Sequence, residues 1–157
     1  MICFCRIDDR FIHGQVVTTW VNKYQIEQII VVNDKVAGDG IQKNILNMAA
    51  PQGIKVHAFG VKQFAEIART NPIKRRTMLL FATSTDVNEL VKAGVAISEL
   101  NIGGMRYQEG REQISRALSV TPEERAALDD SQTASDCNGG RVDYGGFTNQ
   151  SFDWGNT

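Results

Sequence analysis

No stretch of this sequence approaches the roughly 20 consecutive apolar residues that a membrane-spanning helix needs. It also lacks a surplus of either charge: 17 basic against 18 acidic side chains leave a net −1. That balance gives no global attraction for nucleic acid or anionic lipid. The opening residues, Met1-Ile2-Cys3-Phe4-Cys5-Arg6, put a charge where the apolar part of a secretory leader would continue, so no leader is expected. Three cysteines, an odd number at no framework spacing, predict free thiols in a reducing cytosol rather than a disulfide scaffold. No internal repeat is visible. Neither G-x-G-x-x-G nor a Walker-type glycine loop follows the first expected strand, which argues against a small-molecule module of flavodoxin-like architecture. The 157 residues, 42% hydrophobic and 22% charged, are ordinary for a globular chain and suffice for one sizeable core.

Over residues 1–128 two kinds of segment alternate. Short apolar, β-branched runs at Ile2–Ile7, Gln28–Val32, Ile54–Phe59, Thr77–Ala82 and Ala96–Ile102 read as strands buried on both faces. Helical spacing fills the gaps. Ile41, Ile45 and Met48 follow a candidate N-cap, Asp39; Val61, Phe64, Ile67 and Ala68 form a second stripe. Val87, Leu90 and Val91 form a third, opened by Thr85-Asp86 and closed by Gly94. Thr121-Pro122-Glu123-Glu124 has a threonine cap, a proline in the first turn and a glutamate three residues after the cap. Strands alternating with helices predict an α/β fold: an open, mainly parallel sheet with helices on both faces, in a single domain.

In such a sheet, ligands bind beyond the carboxyl ends of the strands. After the first strand comes Asp8-Asp9-Arg10-Phe11-Ile12-His13-Gly14-Gln15, leading into a helix with Val16, Val17, Trp20 and Val21. Two carboxylates, a guanidinium and one of only two histidines lie just before a helix N-terminus, where unpaired N–H groups favour an anion. Neutral imidazole can attack phosphorus, and a nearby arginine can neutralise phosphoryl oxygens. The ingredients for phosphoryl transfer through a phosphohistidine are all present, although a charged loop with one histidine is also common on surfaces. The other histidine, His57, lies mid-strand and reads as an ordinary sheet residue. Cys3 and Cys5 share a strand face without a second ligand pair, so no metal or other cofactor is expected.

The run Arg6-Ile7-Asp8-Asp9-Arg10-Phe11-Ile12-His13-Gly14-Gln15-Val16 resembles the signature of the IIB component of the mannose/fructose/sorbose family of the bacterial phosphotransferase system. The resemblance continues in Val32-Asn33-Asp34, Ala49-Ala50-Pro51-Gln52-Gly53 and Leu100-Asn101-Ile102-Gly103-Gly104-Met105, and covers about residues 2–128. It implies a cytoplasmic α/β domain, peripherally associated with a membrane transporter. Such a domain accepts a phosphoryl group from a IIA protein on His13, through Nδ1, and passes it to a sugar during uptake through IIC and IID partners. On that basis Arg10 balances phosphoryl charge, Asp8 orients the loop or the imidazole, and Gly14 and Gln15 supply helix-start N–H groups. Asp8 and Asp9 are not separated decisively, since alternation turns only one toward the histidine. The hydroxyls of Thr83 and Ser84 are further candidates for phosphoryl oxygens, against simple capping by Thr85. Asn33 and Asp34 either line the sugar or partner side or merely end a strand. Gly103-Gly104 permits a tight turn near the site. Trp20 reads first as core, with sugar stacking or a partner contact behind it. Arg69, Lys74, Arg75 and Arg76 read as a solvated basic loop, with docking of an acidic partner as the alternative. Two rivals to the transfer role stay open: a regulatory phosphoprotein that does not deliver to sugar, and a family member inactivated by its C-terminus. Neither the sugar nor the oligomeric state, a homo-oligomer included, is specified.

After Leu128 the pattern stops. Residues 129–157 hold five glycines, five aspartates and one arginine, and resemble no family ending. They are expected to form a disordered or loosely docked tail, with the final strand of the sheet missing or supplied by something unlike the family. The tail carries −4, which leaves residues 1–128 with 16 basic against 13 acidic groups, or +3.

Overall fold

The computed structural model describes residues 1–12, 14–95, 97, 99–104, 109–113, 119–127 and 141–143. Five strands and five helices alternate first: β1 (Ile2–Asp8), α1 (Gly14–Tyr24), β2 (Gln28–Val32), α2 (Asp34–Ala37), α3 (Gly40–Ala49), β3 (Lys55–Phe59), α4 (Val61–Thr70), β4 (Thr77–Phe81), α5 (Ser84–Lys92) and β5 (Glu99–Gly104). A hairpin of β6 (Glu112–Gln113) and β7 (Ser119–Val120), a short helix over residues 122–127 and β8 (Arg141–Asp143) follow. The main sheet runs in the order β3-β2-β4-β1-β5-β8, and all its pairings are parallel.

The central strands β2 and β4 are buried almost throughout, because helices cover both their faces. One core layer joins Val61, Phe64 and Ala65 of α4 and Val87 and Leu90 of α5 to Ile7, Val32, Leu79 and Phe81. The other joins Val17 and Val21 of α1, Val36 of α2 and Leu46 of α3 to Phe4, Ile29, Val31, Met78 and Leu80. Alternate residues of the same strands thus feed opposite layers. The first three helices lie on one face of the sheet and the next two on the other.

Local signals hold at several ends. Asp39 caps α3, its Oδ1 accepting from the N–H groups of Ile41 and Gln42 at 3.0 and 3.1 Å. Gly94, at φ 97°, closes α5 in a Schellman arrangement: its N–H donates to Val91 O at 3.0 Å and that of Val95 to Leu90 O at 3.3 Å.

Four expectations need correction. The α3 stripe faces solvent: Ile41, Ile45 and Met48 are 75%, 52% and 87% exposed, and Leu46 is the buried residue instead. The cap of α5 is Thr83, whose hydroxyl accepts from Asp86 N–H, and not Thr85, so the helix starts at Ser84. The edge strand β3 alternates rather than being buried on both faces, and leaves Lys55 and His57 exposed. Finally, β8 lies within the tail and pairs in parallel with β5, placing Arg141 opposite Glu99 and Asp143 opposite Asn101. Three residues are too few to show as an alternating run in a sequence, yet enough to occupy the outer edge of β5.

Candidate active site at the carboxyl ends of the strands

A cleft of about 490 Å³ opens where β1, β2 and β4 end. Asp9 and Phe11 reach it after β1, Asn33 and Lys35 after β2, and Thr83 after β4, with Arg111 closing one side. The neighbours β1 and β4 send their next helices, α1 and α5, to opposite faces of the sheet, which is the topological break where open α/β sheets bind ligands.

The turn after β1 is fixed from within. The Asp8 carboxylate is completely buried, and its Oδ1 accepts from Arg10 N–H at 3.0 Å while its carbonyl accepts from Phe11 N–H at 2.9 Å. This nests an Asx-turn inside a β-turn. Phe11 takes φ 57°, a left-handed conformation that costs an L-residue about 1–2 kcal/mol. Burial of its ring beside Ile12, Val17 and Val36 offsets that cost.

A buried Asp8 needs cations, and two arginines supply them. Arg6, itself buried, donates from Nη2 to Asp8 Oδ2 at 3.4 Å and from Nη1 to Asn101 Oδ1, which the register of β1 and β5 sets directly beside it. Its guanidinium also lies 5.9 Å from the Trp20 ring centre. Room for it comes from Gly103: a Cβ there would overlap the guanidinium. Arg10 donates from Nε to Asp8 Oδ1 at 3.4 Å, but its side chain is 47% exposed. Two guanidiniums thus meet one carboxylate, and Arg10 is the one that reaches solvent.

A second ion cluster lies across the cleft. Arg111 donates from Nε and Nη2 to the two carboxylate oxygens of Glu124 at 2.8 and 2.7 Å, and its Nη1 lies 3.9 Å from Asp9 Oδ2. Glu124 is also the far member of the capping box: its Oε1 accepts from Thr121 N–H at 3.0 Å, and Thr121 Oγ1 accepts from Glu124 N–H at 3.1 Å. Burial alone would raise the Glu124 pKa, but the hydrogen bonds from Arg111 and Thr121 outweigh it and hold the carboxyl below its ordinary value. On α5 the opposite holds for Asp86. Burial, with repulsion from Asp34 and Glu89, pushes it up to about 6 against the pull of the Thr83 hydroxyl.

The sequence pattern described as the PTS system sorbose subfamily IIB component matches residues 2–136. This chain belongs to that family. The mannose-specific EIIAB component of Escherichia coli K12 is 43% identical over 122 residues, 76% of this chain; the chain spans only 38% of that relative's length. The fructose-specific EIIB component of Bacillus subtilis is 39% identical over 129 residues, 82% of this chain and 79% of that one. The crystal structure of the IIBSor domain of the sorbose permease from Klebsiella pneumoniae superposes with a TM-score of 0.80 at 35% identity, covering 90% of this chain and 85% of that one. Among the described residues of this IIB component, no helix is long and apolar enough to cross a membrane.

The residues singled out from the sequence scatter less than the chain does. Asp8 and Arg10 lie together in the turn; Gly14 and Gln15 open α1, whose first turn holds no acidic residue to oppose an anion. His13 lies outside the described residues, as does the side chain of Gln15. Thr83 reaches the cleft, whereas Ser84 is fully buried beneath it and donates its hydroxyl to Glu124 O at 2.7 Å. Asn33 faces the cleft while capping α2, its Oδ1 accepting from Val36 N–H at 3.0 Å. Asp34 Oδ1 accepts from Val61 N–H at 2.9 Å, a borrowed cap for α4, which begins after the side-chain-less Gly60. Gly103 is no turn residue: it lies within β5 and makes space for Arg6. Trp20 stacks on Phe4 with ring centres 4.5 Å apart. In the basic cluster, Arg76 is tied to Tyr24 O by two hydrogen bonds, and Arg69 lies 3.7 Å from Glu66.

Sequence reasoning missed four participants: Arg6, Asn101, Arg111 and Glu124. An arginine between isoleucines and cysteines on a buried strand was the available signal for Arg6, and a glycine on the adjoining strand the signal for its space. Arg111 carried none.

Proposed function

We propose that this IIB component accepts a phosphoryl group on His13 from a phosphorylated IIA protein and passes it to a sugar. On this reading it works at the cytoplasmic face of the IIC and IID membrane components. The observation that carries it is the β1–α1 turn. Asp8 is buried and hydrogen-bonded within the turn, Arg10 presents a half-exposed guanidinium, and α1 starts without an acidic residue in its first turn. That combination suits three phosphoryl oxygens carrying spread negative charge, because most of the catalysis of such a transfer is electrostatic and positional.

In the first step the imidazole nitrogen lone pair forms the bond to phosphorus as the bond from phosphorus to the donor breaks. In the second, a sugar hydroxyl oxygen forms the new P–O bond, the P–N bond breaks, and the hydroxyl proton ends on the imidazole. Arg10 and the first N–H groups of α1, at Gly14 and Gln15, hold the oxygens in both. Thr83 lines the cleft from the β4 side with its hydroxyl engaged in capping α5, while on this reading Ser84 acts beneath the site by holding Glu124. Asp8 orients the turn rather than acting as a base, since a neutral imidazole needs no deprotonation to attack.

Incubation with phosphorylated IIA protein followed by acid-protected phosphopeptide mapping tests the first step. Label is expected in the peptide containing His13 and absent from His13→Ala. Addition of membranes bearing IIC and IID then tests the second, with sugar phosphate expected; retention of the label on protein would instead mark a carrier that does not deliver to sugar.

A further inference from the structure

We infer that Arg111 is a positioning residue for phosphoryl transfer: it clamps Asp9, and so the turn bearing Arg10, to the helix over residues 122–127. The inference rests on the reading of that turn as the phosphoryl site, and deepens it.

Arg111 itself is unsuited to bind phosphate. Its side chain is 6% exposed, and three of its nitrogens already address two carboxylates. A cation spent in this way does not stabilise an incoming anion; Arg10 has that task.

Nor is stability a sufficient reason for the cluster. Buried ion groups give back in attraction about what they lose in desolvation, and apolar packing commonly serves folding as well. What an arginine adds is direction. Two parallel hydrogen bonds fix the plane of the guanidinium on Glu124, and a fixed plane keeps Nη1 within ion-pair range of Asp9, 3.9 Å from Oδ2.

Glu124 is a firm anchor because it is held from several sides. Thr121 holds its carboxylate through the backbone N–H, Arg111 holds both oxygens, and Ser84 at the start of α5 holds its carbonyl. Ser84 follows Thr83, which faces the cleft. The loops after β1, β4 and β5 are therefore tied at one point, and that point is the Arg111–Glu124 pair. Asp9 and Arg10 are adjacent, so loss of the tie to Asp9 leaves the turn, and Arg10 with it, held through Asp8. Misplacement of about 1 Å costs on the order of 100-fold in reactions that depend on alignment.

The test compares Arg111→Met, Arg111→Lys, Asp9→Asn and the Asp9→Asn/Arg111→Met pair in the full chain. Rates of phosphoryl acceptance from phosphorylated IIA protein are measured at varied donor concentration, with circular dichroism to verify folding. Each single variant is expected to lose on the order of 10- to 100-fold in kcat with donor KM unchanged. The double variant should lose no more than the worse single one, because both break one link. Lysine should not rescue, since one ammonium cannot hold both Glu124 oxygens and still reach Asp9. If Arg111→Met does not fold, Asp9→Asn, which keeps the Arg111–Glu124 pair, carries the test alone. Wild-type kcat in Asp9→Asn, full rescue by lysine, or losses that multiply in the double variant would overturn the clamp. A wild-type chain that takes no label overturns the underlying reading instead.

Discussion

Each end of the sheet has a cavity and arginines held at more than one atom, but the two ends use them differently. At the amino ends a cavity of about 350 Å³ lies among Ile2, Ala65, Ala68, Arg69, Ile73 and Val95, and Arg69 meets a carboxylate only in an exposed pair with Glu66 at 3.7 Å. There Arg76 gives Nε and Nη2 to a single carbonyl, Tyr24 O, at 2.9 and 2.7 Å, and the terminal ammonium of Met1 is held by the carbonyls of Ile73 and Arg75. At the carboxyl ends the guanidiniums of Arg6, Arg10 and Arg111 meet carboxylates and a side-chain amide instead. Backbone carbonyls hold a cation without neutralising its charge. Carboxylates offset that charge, and here Arg111 is buried against two of them while Arg10 keeps a half-exposed guanidinium beside one. A cavity of suitable size is thus a poor guide to a site; the character of the groups that hold its cations is a better one.

The largest effect is expected from Asp8→Ala, which strips the carboxylate from between two guanidiniums. Leaving Arg6 buried without it should destabilise the domain by about 3–5 kcal/mol in urea unfolding, and phosphoryl acceptance should fail even where the fold survives. A change below about 1 kcal/mol would mean that Asn101 and Trp20 suffice for Arg6. Next is Gly103→Ala, whose methyl group would overlap the same guanidinium and cost about 2 kcal/mol. At the other end, Arg76→Met removes two hydrogen bonds to Tyr24 O and should cost about 1–2 kcal/mol while the rate of phosphoryl acceptance stays at the wild-type value. A loss of rate there would erase the distinction between the two ends.

These variants also mark what a sequence reveals. The parallel strands were legible because burial on both faces requires continuous apolar runs, as in Ile29–Val32 and Met78–Phe81. The caps at Asp39 and Thr121 were legible because they are local. Which side of α3 faces the sheet was not: periodicity defines the stripe of Ile41, Ile45 and Met48, yet Leu46 took the core instead. Thr85 read as the cap of α5, and only the chain path moves that role to Thr83, two residues earlier. The turn Asp8–Phe11 was legible as a candidate site from its composition. Its support was not, because Arg6 with Asn101 and Gly103, and Arg111 with Glu124, are brought together by register and loop path rather than by spacing along the chain.

The smallest effect concerns Asp86, close to Thr83 on the cleft side of α5. Its pKa is raised to about 6 in the folded state, so the folded protein binds a proton more readily than the unfolded chain does. Ionised Asp86 therefore costs stability at pH 7, and the cost fades as pH falls through about 6 toward the ordinary value near 4. With screening at this half-buried group allowed for, Asp86→Asn should add about 1 kcal/mol at pH 7 and nothing at pH 4. Equal gains at both pH values would assign the effect to something other than titration.

The most direct measurement of the central claim uses the chain's two histidines as site and control. His57 is exposed on β3, away from the cleft, whereas His13 follows the Asp8–Phe11 turn in sequence. Nitrogen-15 spectra of the imidazoles before and after addition of phosphorylated IIA protein report both rings at once. The Nδ1 resonance of His13 is expected to move to that of a phosphoramidate while His57 is unchanged. Phosphorylation of His57, or of both rings at equal rates, would contradict it.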